Sequence, residues 1–214
     1  MTEYVTDDEQ VERIKKWWSD NGSSVVAGLV IGIGGLMGWR YWVDYKDNQA
    51  AEASVHFAQM VSNLENNQND SAIEQAQIIL DDYSSTAYST LARLSMAKAF
   101  VESGKYDEAA DQLQMIIDAP SVDTSLQMVA RKRLAALKLQ QGQLDQALAT
   151  LSVEHPVSFS AAFEELRGDI LAAQGNLDQA RDAYQRARLA QPATANPQFL
   201  QQKIDDLGQP TAQG

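Results

Sequence analysis

One uncharged, apolar stretch constrains this chain more than any other part of the sequence. Residues 25–43 contain a single ionisable side chain, Arg40, which lies near the C-terminal end of the stretch. A helix rises about 1.5 Å per residue, so the stretch would span roughly 28 Å, close to the ~30 Å hydrocarbon core of a bilayer. Arg40 can extend toward lipid headgroups, and the aromatic residues around it suit a membrane interface. We therefore predict a transmembrane helix over residues 24–43.

Two other structures compete for this stretch: a buried core helix and a cleaved signal peptide. Five glycines argue against a core helix, because glycine costs about 1 kcal/mol against alanine in a water-exposed helix and is more frequent in membrane helices. A signal peptide would begin with a basic region and end at a small-residue cleavage site. Here an acidic head precedes the stretch, and bulky residues from Trp39 to Trp42 stand at its C-terminal end, where a cleavage site would need small ones. The favoured interpretation is an uncleaved membrane anchor.

The glycines of the stretch suggest a helix-packing surface. Gly28 with Gly32, and Gly34 with Gly38, form small-xxx-small pairs that let a second membrane helix approach closely. The alternative is that glycine is simply common in membrane helices. A dinucleotide-binding loop is excluded, because Met37 stands where the third glycine is required.

Residues 1–23 form a short head whose basic residues indicate the orientation of the chain. Thr6 and Glu9 have the spacing of a capping box, which predicts a short helix with a narrow apolar stripe that includes tryptophan. Cytoplasmic flanks of membrane helices are enriched in Lys and Arg. Three such residues precede the span and two follow closely, which slightly favours a cytoplasmic head (Arg13, Lys15 and Lys16 before; Arg40 and Lys46 after).

Composition excludes several classes of function for the part that follows the span. The chain carries a net charge of -12, and after residue 49 there are 21 acidic and 12 basic residues, giving that part about -9. An acidic domain repels phosphate backbones, so we expect no nucleic-acid partner. Cysteine is absent, and the two histidines, His56 and His155, have no second ligand nearby at metal spacing. We expect no metal, no cofactor and no small-molecule substrate.

A hexapeptide that recurs three times determines the predicted fold. The pattern G-x-[YL]-D-[EQ]-A begins at Gly104, Gly142 and Gly175, at spacings of 38 and 33 residues. A degenerate fourth copy begins at Asn67, 37 residues before the first. Amphipathic stretches of helical period lie on both sides of each copy. The repeat is therefore a pair of helices joined by a tight turn.

Each residue of the hexapeptide suits a helix–turn–helix unit. Glycine adopts the positive φ that ends the first helix, aspartate favours the N-terminal dipole of the second, and alanine lets the two helices approach. A proline follows the second helix at position 120, 156 or 192. A helical hairpin of about 34 residues is typical of the tetratricopeptide repeat. The 38-residue spacing and the irregular second copy predict longer hairpins than the standard unit.

The remaining boundaries follow from helix signals. No glycine or proline lies between Trp39 and Asn63, so the membrane helix can continue into the next domain. Ser71 and Glu74 have capping-box spacing and predict a helix start, as does the Asn196-Pro197 pair near the C-terminus. We predict an all-α chain: one transmembrane helix, a tetratricopeptide-like solenoid within residues 44–208, a C-terminal capping helix and a flexible tail over residues 209–214.

The combination resembles the YfgM family, the ancillary SecYEG translocon subunits of Gram-negative bacteria. The resemblance covers nearly the whole chain and rests on the acidic head, the exit of the span at Gly38-Trp39-Arg40-Tyr41-Trp42, and short runs in the repeats (Leu91-Ala92-Arg93-Leu94, Arg133-Leu134-Ala135 and Arg167-Gly168-Asp169). It implies a single-pass inner-membrane protein with a periplasmic repeat domain. Its expected partners are the SecYEG channel, the membrane-anchored chaperone PpiD and newly exported polypeptides. It implies no enzymatic activity.

The sequence itself favours protein binding over catalysis. No Ser, His and Asp set stands out, and the adjacent carboxylates Asp81-Asp82, Glu164-Glu165 and Asp205-Asp206 are interpreted as solvated helix faces. The first helix of each pair lines the inner wall of a solenoid and provides the expected groove. The residues placed there are Leu94, Lys98, Lys132, Arg133, Leu139, Glu165 and Asp169. An alternative function is a membrane-tethered scaffold or regulator that sequesters a cytoplasmic signalling protein through its head.

Overall fold

A computed structural model describes residues 7–191 and 198–208, and the regular structure of these residues is helical throughout. The chain divides into two compact units, Met1–Glu52 and Ala53–Gly214. The helices are α1 Asp7–Glu65, α2 Asn69–Asp82, α3 Tyr88–Glu102, α4 Tyr106–Asp118, α5 Thr124–Gln140, α6 Leu144–Leu151, α7 Ser160–Ala173, α8 Leu177–Ala190 and α9 Gln198–Asp206, with a short 3-10 turn at Val157–Phe159 before α7.

The first unit is the N-terminal part of α1, which is long and apolar enough to cross a membrane. Residues 7–23 of the head continue into the span without interruption, and the same helix continues past Trp39 to Glu65. The apolar side chains of the span are exposed, with Ile31 at 75% and Leu36 at 72% of their full accessible surface. Exposure of these side chains favours a membrane anchor over a core helix, which would bury them. Thr6, the expected cap, lies outside the described residues.

In the second unit the helices pair as hairpins in chain order. In the first pair, the last turns of α1 pack against α2 through a shared apolar cluster, and α3 pairs with α4, α5 with α6, and α7 with α8. The first of these pairs confirms that the degenerate copy at Asn67 is a fourth repeat. Asn67 has φ 57°, and Gly104, Gly142 and Gly175 have φ 74°, 73° and 78°. After each of them, the next backbone N–H donates to the carbonyl five residues earlier, which satisfies an otherwise free carbonyl at the end of the first helix.

The small residue of each repeat copy lies where the two helices of a hairpin meet. Ala109, Ala147 and Ala180 are fully buried and Ala72 is 1% exposed. Aspartate occupies the first turn of each second helix, as the hexapeptide predicts (Asp107, Asp145 and Asp178). The third repeat adds a closer contact, since Gly168 lies against the ring of Tyr184 and a Cβ there would meet the ring at 2.4 Å.

Helix α3 is buried on two sides, which places it inside the stack. Ala92, Met96 and Ala99 pack against α2 and the end of α1, whereas Leu94 and Ala97 pack against α4 and α5. The hairpins therefore share a continuous core, as stacked repeats require.

Two boundary predictions were wrong. The capping box at Ser71 is not used, because α2 begins at Asn69, directly after the left-handed turn at Asn67, and Ser71 lies in its first turn. The hairpin of α5 and α6 was predicted to be longer than standard, but only its first helix is long: α5 has 17 residues and α6 only 8. Helix α6 ends at Leu151, and Ser152, which follows it, has non-helical backbone angles. Pro192, the Asn196-Pro197 pair and the tail lie outside the described residues.

Candidate protein-binding groove

A groove of about 340 Å³ separates α3 from α5 in the second unit. It is lined by the first helices of two consecutive hairpins, with Leu113 of α4 beneath them. Its remaining lining residues are Leu94, Ala97, Lys98, Val101 and Glu102 of α3 and Arg133, Ala136, Leu137 and Gln140 of α5. The inner wall of the predicted solenoid thus contains an open surface between its first two complete repeats.

The floor of the groove is apolar. Leu94, Ala97, Leu113 and Leu137 belong to one buried cluster that joins α3, α4 and α5. Ala136 lies beside them and is exposed. Because its side chain is short, it leaves the floor open to solvent. A floor of this kind stabilises a bound apolar side chain by about 25 cal/mol for each Å² removed from water.

The rim of the groove is charged. Lys98 and Glu102 form an ion pair at 3.6 Å, with 59% and 36% of their side chains exposed. Across the groove, the Arg133 guanidinium donates to the main-chain carbonyl oxygen of Leu94 at 3.2 Å. An exposed ion pair such as Lys98–Glu102 contributes about 1 kcal/mol or less to stability, so it can rearrange around a ligand.

Helix α5 is the basic element of an acidic domain. It contains Arg131, Lys132, Arg133 and Lys138 and no acidic residue. Within residues 7–191 and 198–208, none of these four forms an ion pair, although Lys138 donates to the Thr150 hydroxyl at 3.2 Å. Arg133 is the one of these four that lines the groove, so its positive charge there is not neutralised by an ion pair within the described residues.

At the other end of the repeat domain, α9 packs against the last hairpin as α5 packs against α3 and α4. The Lys203 ammonium donates to Asp169 at 2.7 Å and to Glu165 at 2.9 Å, and it lies 4.9 Å from the ring centre of Phe199. Leu200 of α9 is 1% exposed and packs among the buried residues of α8. The C-terminal helix therefore takes the place of a next first helix and caps the stack, as predicted.

Two ionisable groups have raised pKa values where α9 attaches. Burial raises the pKa of the Tyr184 phenol well above its ordinary value of 10.0, and the hydrogen bond of its hydroxyl to Asp169, 2.8 Å long, adds to the rise. Burial by itself lowers the pKa of Lys203, but hydrogen bonds and attraction to Asp169 and Glu165 outweigh it and raise the pKa overall. The fold therefore favours neutral Tyr184 and charged Lys203.

The structure separates the seven residues predicted for the groove. Leu94, Lys98 and Arg133 line it together. Lys132 is exposed on α5 but is not among the residues that line the groove, and Leu139 is partly buried against the core that α5, α6 and α7 share. Glu165 and Asp169 hold α9. The prediction that Glu164-Glu165 is a solvated face was wrong, because Glu164 also pairs with Arg186 at 2.8 Å and lies largely out of solvent.

Sequence reasoning missed the floor residues Ala97, Val101, Ala136 and Leu137, and it missed Lys203. The floor residues follow Leu94 and Arg133 at helical spacing, so that spacing is the signal that could have identified them. No local signal points to Lys203, which acts across 34 and 38 residues.

The histidines and acidic residues form no metal-binding group within residues 7–191 and 198–208. His56 shares a hydrogen bond with Gln75 at 2.9 Å, and His155 lies 4.7 Å from the ring of Phe163. Both histidines therefore contribute to packing between neighbouring elements.

Known proteins share both the repeat domain and nearly the whole length of the chain. A family described as a tetratricopeptide repeat-like domain matches residues 15–209. A protein of Escherichia coli (strain K12) is 32% identical over 207 residues, which cover 97% of this chain and 99% of the relative. A protein of Haemophilus influenzae is 30% identical over 209 residues, which cover 97% of this chain and 100% of the relative. Both are named ancillary SecYEG translocon subunit.

Proposed function

The chain belongs to the ancillary SecYEG translocon subunit family, with a tetratricopeptide repeat-like domain, and on that basis we propose that it binds other proteins at the export channel. The α1 helix anchors it in the inner membrane, with the head in the cytoplasm and the repeat domain in the periplasm. The observation that carries the proposal is the open groove between α3 and α5, an apolar floor with a charged rim on a fold that binds polypeptides.

Three partners follow from this proposal. The channel lies in the same membrane and contacts the span, the repeat domain binds a membrane-anchored chaperone of the PpiD type, and newly exported polypeptides pass between the two. The protein acts by holding these partners near each other and carries out no chemical step.

Glycines on α1 supply the proposed contact with the channel. A Cβ added at Gly28, Gly32, Gly34 or Gly38 would have no neighbour within 4 Å, so the surface of the helix is open there. At 3.6 residues per turn, the first pair lies about 120° around the helix from the second. The two pairs therefore serve two different neighbouring helices rather than one.

Photo-crosslinking of the full-length chain in native membranes tests the proposal. A photoreactive amino acid at Ala136 should capture a channel subunit or a membrane-bound chaperone, whereas the same group at Ala149, an exposed position on α6, should capture much less. Ala136→Trp should block the groove and reduce co-purification of the chaperone, and Ala149→Trp should not. Recovery of neither partner from the unaltered chain would overturn the proposal.

A second experiment addresses the alternative function and the orientation. Deletion of residues 1–23 should leave partner binding by the repeat domain intact, whereas a regulator acting through its head would lose its function.

Protease digestion tests the orientation. The repeat domain should be digested by protease added to spheroplasts, and protection of it would contradict a periplasmic location.

A further inference from the structure

We propose that the groove between α3 and α5 binds an acidic amphipathic helix of a partner protein. The helix places apolar side chains on the floor formed by Leu94, Ala97 and Leu137, and carboxylates against Lys98 and Arg133. This inference rests on the proposed function and specifies the chemistry of the segment that the groove receives.

The first support is the charge around the groove. The repeat domain is acidic as a whole, yet all four charged residues of α5 are basic, and none forms an ion pair within the described residues. On the α3 side, Lys98 is the basic residue of the lining, and its partner Glu102 is 36% exposed. The guanidinium of Arg133, which forms no ion pair among the described residues, lies beside the apolar floor and is complementary to a segment that combines carboxylates with apolar side chains.

The second support comes from comparing equivalent positions of the repeats. Glu165 and Asp169 lie ten and six residues before Gly175. The same offsets from Gly104 give Leu94 and Lys98, and those from Gly142 give Lys132 and Ala136. The positions that are acidic in the last repeat are therefore apolar or basic in the two repeats that form the groove.

The third support is the charge pairing that the last repeat makes at these positions. The acidic residues Glu165 and Asp169 meet the ammonium of Lys203 on α9, which stands against the last hairpin where Arg133 of α5 stands against α3. Lys203 has two carboxylate partners there, whereas Arg133 has no carboxylate partner among the described residues. A carboxylate from a bound segment would give Arg133 the partner that Lys203 already has.

Helix α9 does not occupy the groove, because it is packed against the last hairpin through Leu200 and Lys203. Among the described residues, the groove is therefore available to a segment from another protein.

Two designed peptides test the inference on the full-length chain in detergent micelles. Both contain about four helical turns with leucines at i, i+3, i+4 and i+7, and their remaining positions are glutamate in one and lysine in the other. Fluorescence anisotropy measures their binding. The glutamate peptide should bind at least about fivefold more tightly than the lysine peptide, and this preference should shrink as salt screens the charges. Equal binding, or tighter binding of the lysine peptide, would overturn the inference.

Charge-reversal variants show whether the preference belongs to the groove. Arg133→Glu should lower the affinity for the glutamate peptide by about fivefold or more, because it replaces attraction with repulsion. Lys105→Glu changes the net charge equally at an exposed residue outside the groove and should leave binding within about twofold. Circular dichroism establishes that both variants are folded. Lys98→Glu provides a second variant of the groove, on α3. Equal effects of the Arg133 and Lys105 variants would place the binding elsewhere and contradict the inference.

The outcomes separate this inference from the proposed function. If the chain co-purifies with the channel or the chaperone but does not prefer the glutamate peptide, the proposed function stands. The inference that the groove binds an acidic helix is then wrong. If the glutamate peptide binds through Arg133 but neither partner is recovered from membranes, the chemistry of the groove stands and the proposed function is wrong.

Discussion

The ammonium group of Lys203 lies 2.7 Å from the carboxylate of Asp169, and the two residues are 34 positions apart in the chain. With Glu165 at 2.9 Å, this contact attaches the C-terminal helix to the last hairpin. Lys203 stands against α7 as Arg133 of α5 stands against α3, where Arg133 donates to the carbonyl oxygen of Leu94. Helix α9 therefore closes the stack of hairpins, and the groove between α3 and α5 lies open among the described residues.

Removing the Lys203 side chain should loosen α9. Lys203→Ala eliminates two charge-assisted hydrogen bonds and should destabilise the attachment by about 1–3 kcal/mol. Hydrogen exchange of amides in Gln198–Asp206 should become faster, while amides of α3 should be unaffected. Lys98→Ala is the matched control, because its ion pair with Glu102 is exposed and its loss should change exchange little. Unchanged protection of α9 in Lys203→Ala would show that apolar contacts alone hold it.

Adding a methyl group at Gly168 should destabilise the third repeat. In an exposed helix, replacing glycine by alanine is favourable by about 1 kcal/mol, but at this position the new Cβ would lie 2.4 Å from the Tyr184 ring. Gly168→Ala should therefore lower the free energy of unfolding by about 1–3 kcal/mol through overpacking, as measured by urea denaturation. Gly34→Ala, a helical glycine without neighbours, should leave unfolding of the repeat domain unchanged. A stabilised Gly168→Ala variant would contradict the close contact.

The turn glycines should tolerate asparagine better than alanine. Gly142 has φ 73°, a left-handed conformation that costs an ordinary L-residue about 1–2 kcal/mol. Asn67 adopts φ 57° at the equivalent position of the first hairpin, so the fold already accepts asparagine there. Gly142→Ala should reduce the urea midpoint clearly, and Gly142→Asn by less. Equal midpoints for the two variants would argue that the backbone at Gly142 relaxes out of the left-handed region.

The third repeat should lose stability at alkaline pH. The folded state raises the pKa of Tyr184 above 10.0, so above that pH the unfolded chain releases a proton that the folded chain retains. The stability contributed by neutral Tyr184 is therefore complete below pH 10.0 and is lost as the pH rises toward the folded pKa, by up to about 1.4 kcal/mol per pH unit. Lys203 acts in the same direction above its ordinary pKa of 10.5.

Tyr184→Phe provides the control for the pH effect. This variant removes the titrating phenol and retains the ring that packs against Gly168, so the alkaline slope of its unfolding free energy should be smaller than that of the unaltered chain. The measurement is urea denaturation at a series of pH values on both sides of 10.0. An identical slope in the two proteins would assign the alkaline loss to groups other than Tyr184.

Local sequence determined the helices, the turns and the apolar anchor candidate. A positive φ at glycine, an alanine between two helices and an apolar period of 3.6 residues act within a few residues of the chain, so they can be read without knowing the fold. For the same reason Asn67 could be assigned to a fourth turn by its spacing from Gly104. Local signals predicted the helix boundaries less well. The capping box at Ser71 predicted the start of α2, but the helix begins at Asn69, two residues earlier, directly after the turn.

Only the tertiary structure decided which predicted groove residues face an open surface. Leu94 and Arg133 line the groove because α3 and α5 lie beside each other, whereas Glu165 and Asp169 are covered because Lys203 reaches them from α9. The physical reason is that these contacts join residues 34 to 39 positions apart, and their partners are chosen by packing of whole helices. Helical period specifies the buried face of each helix, but the helix that packs against this face depends on the folded chain.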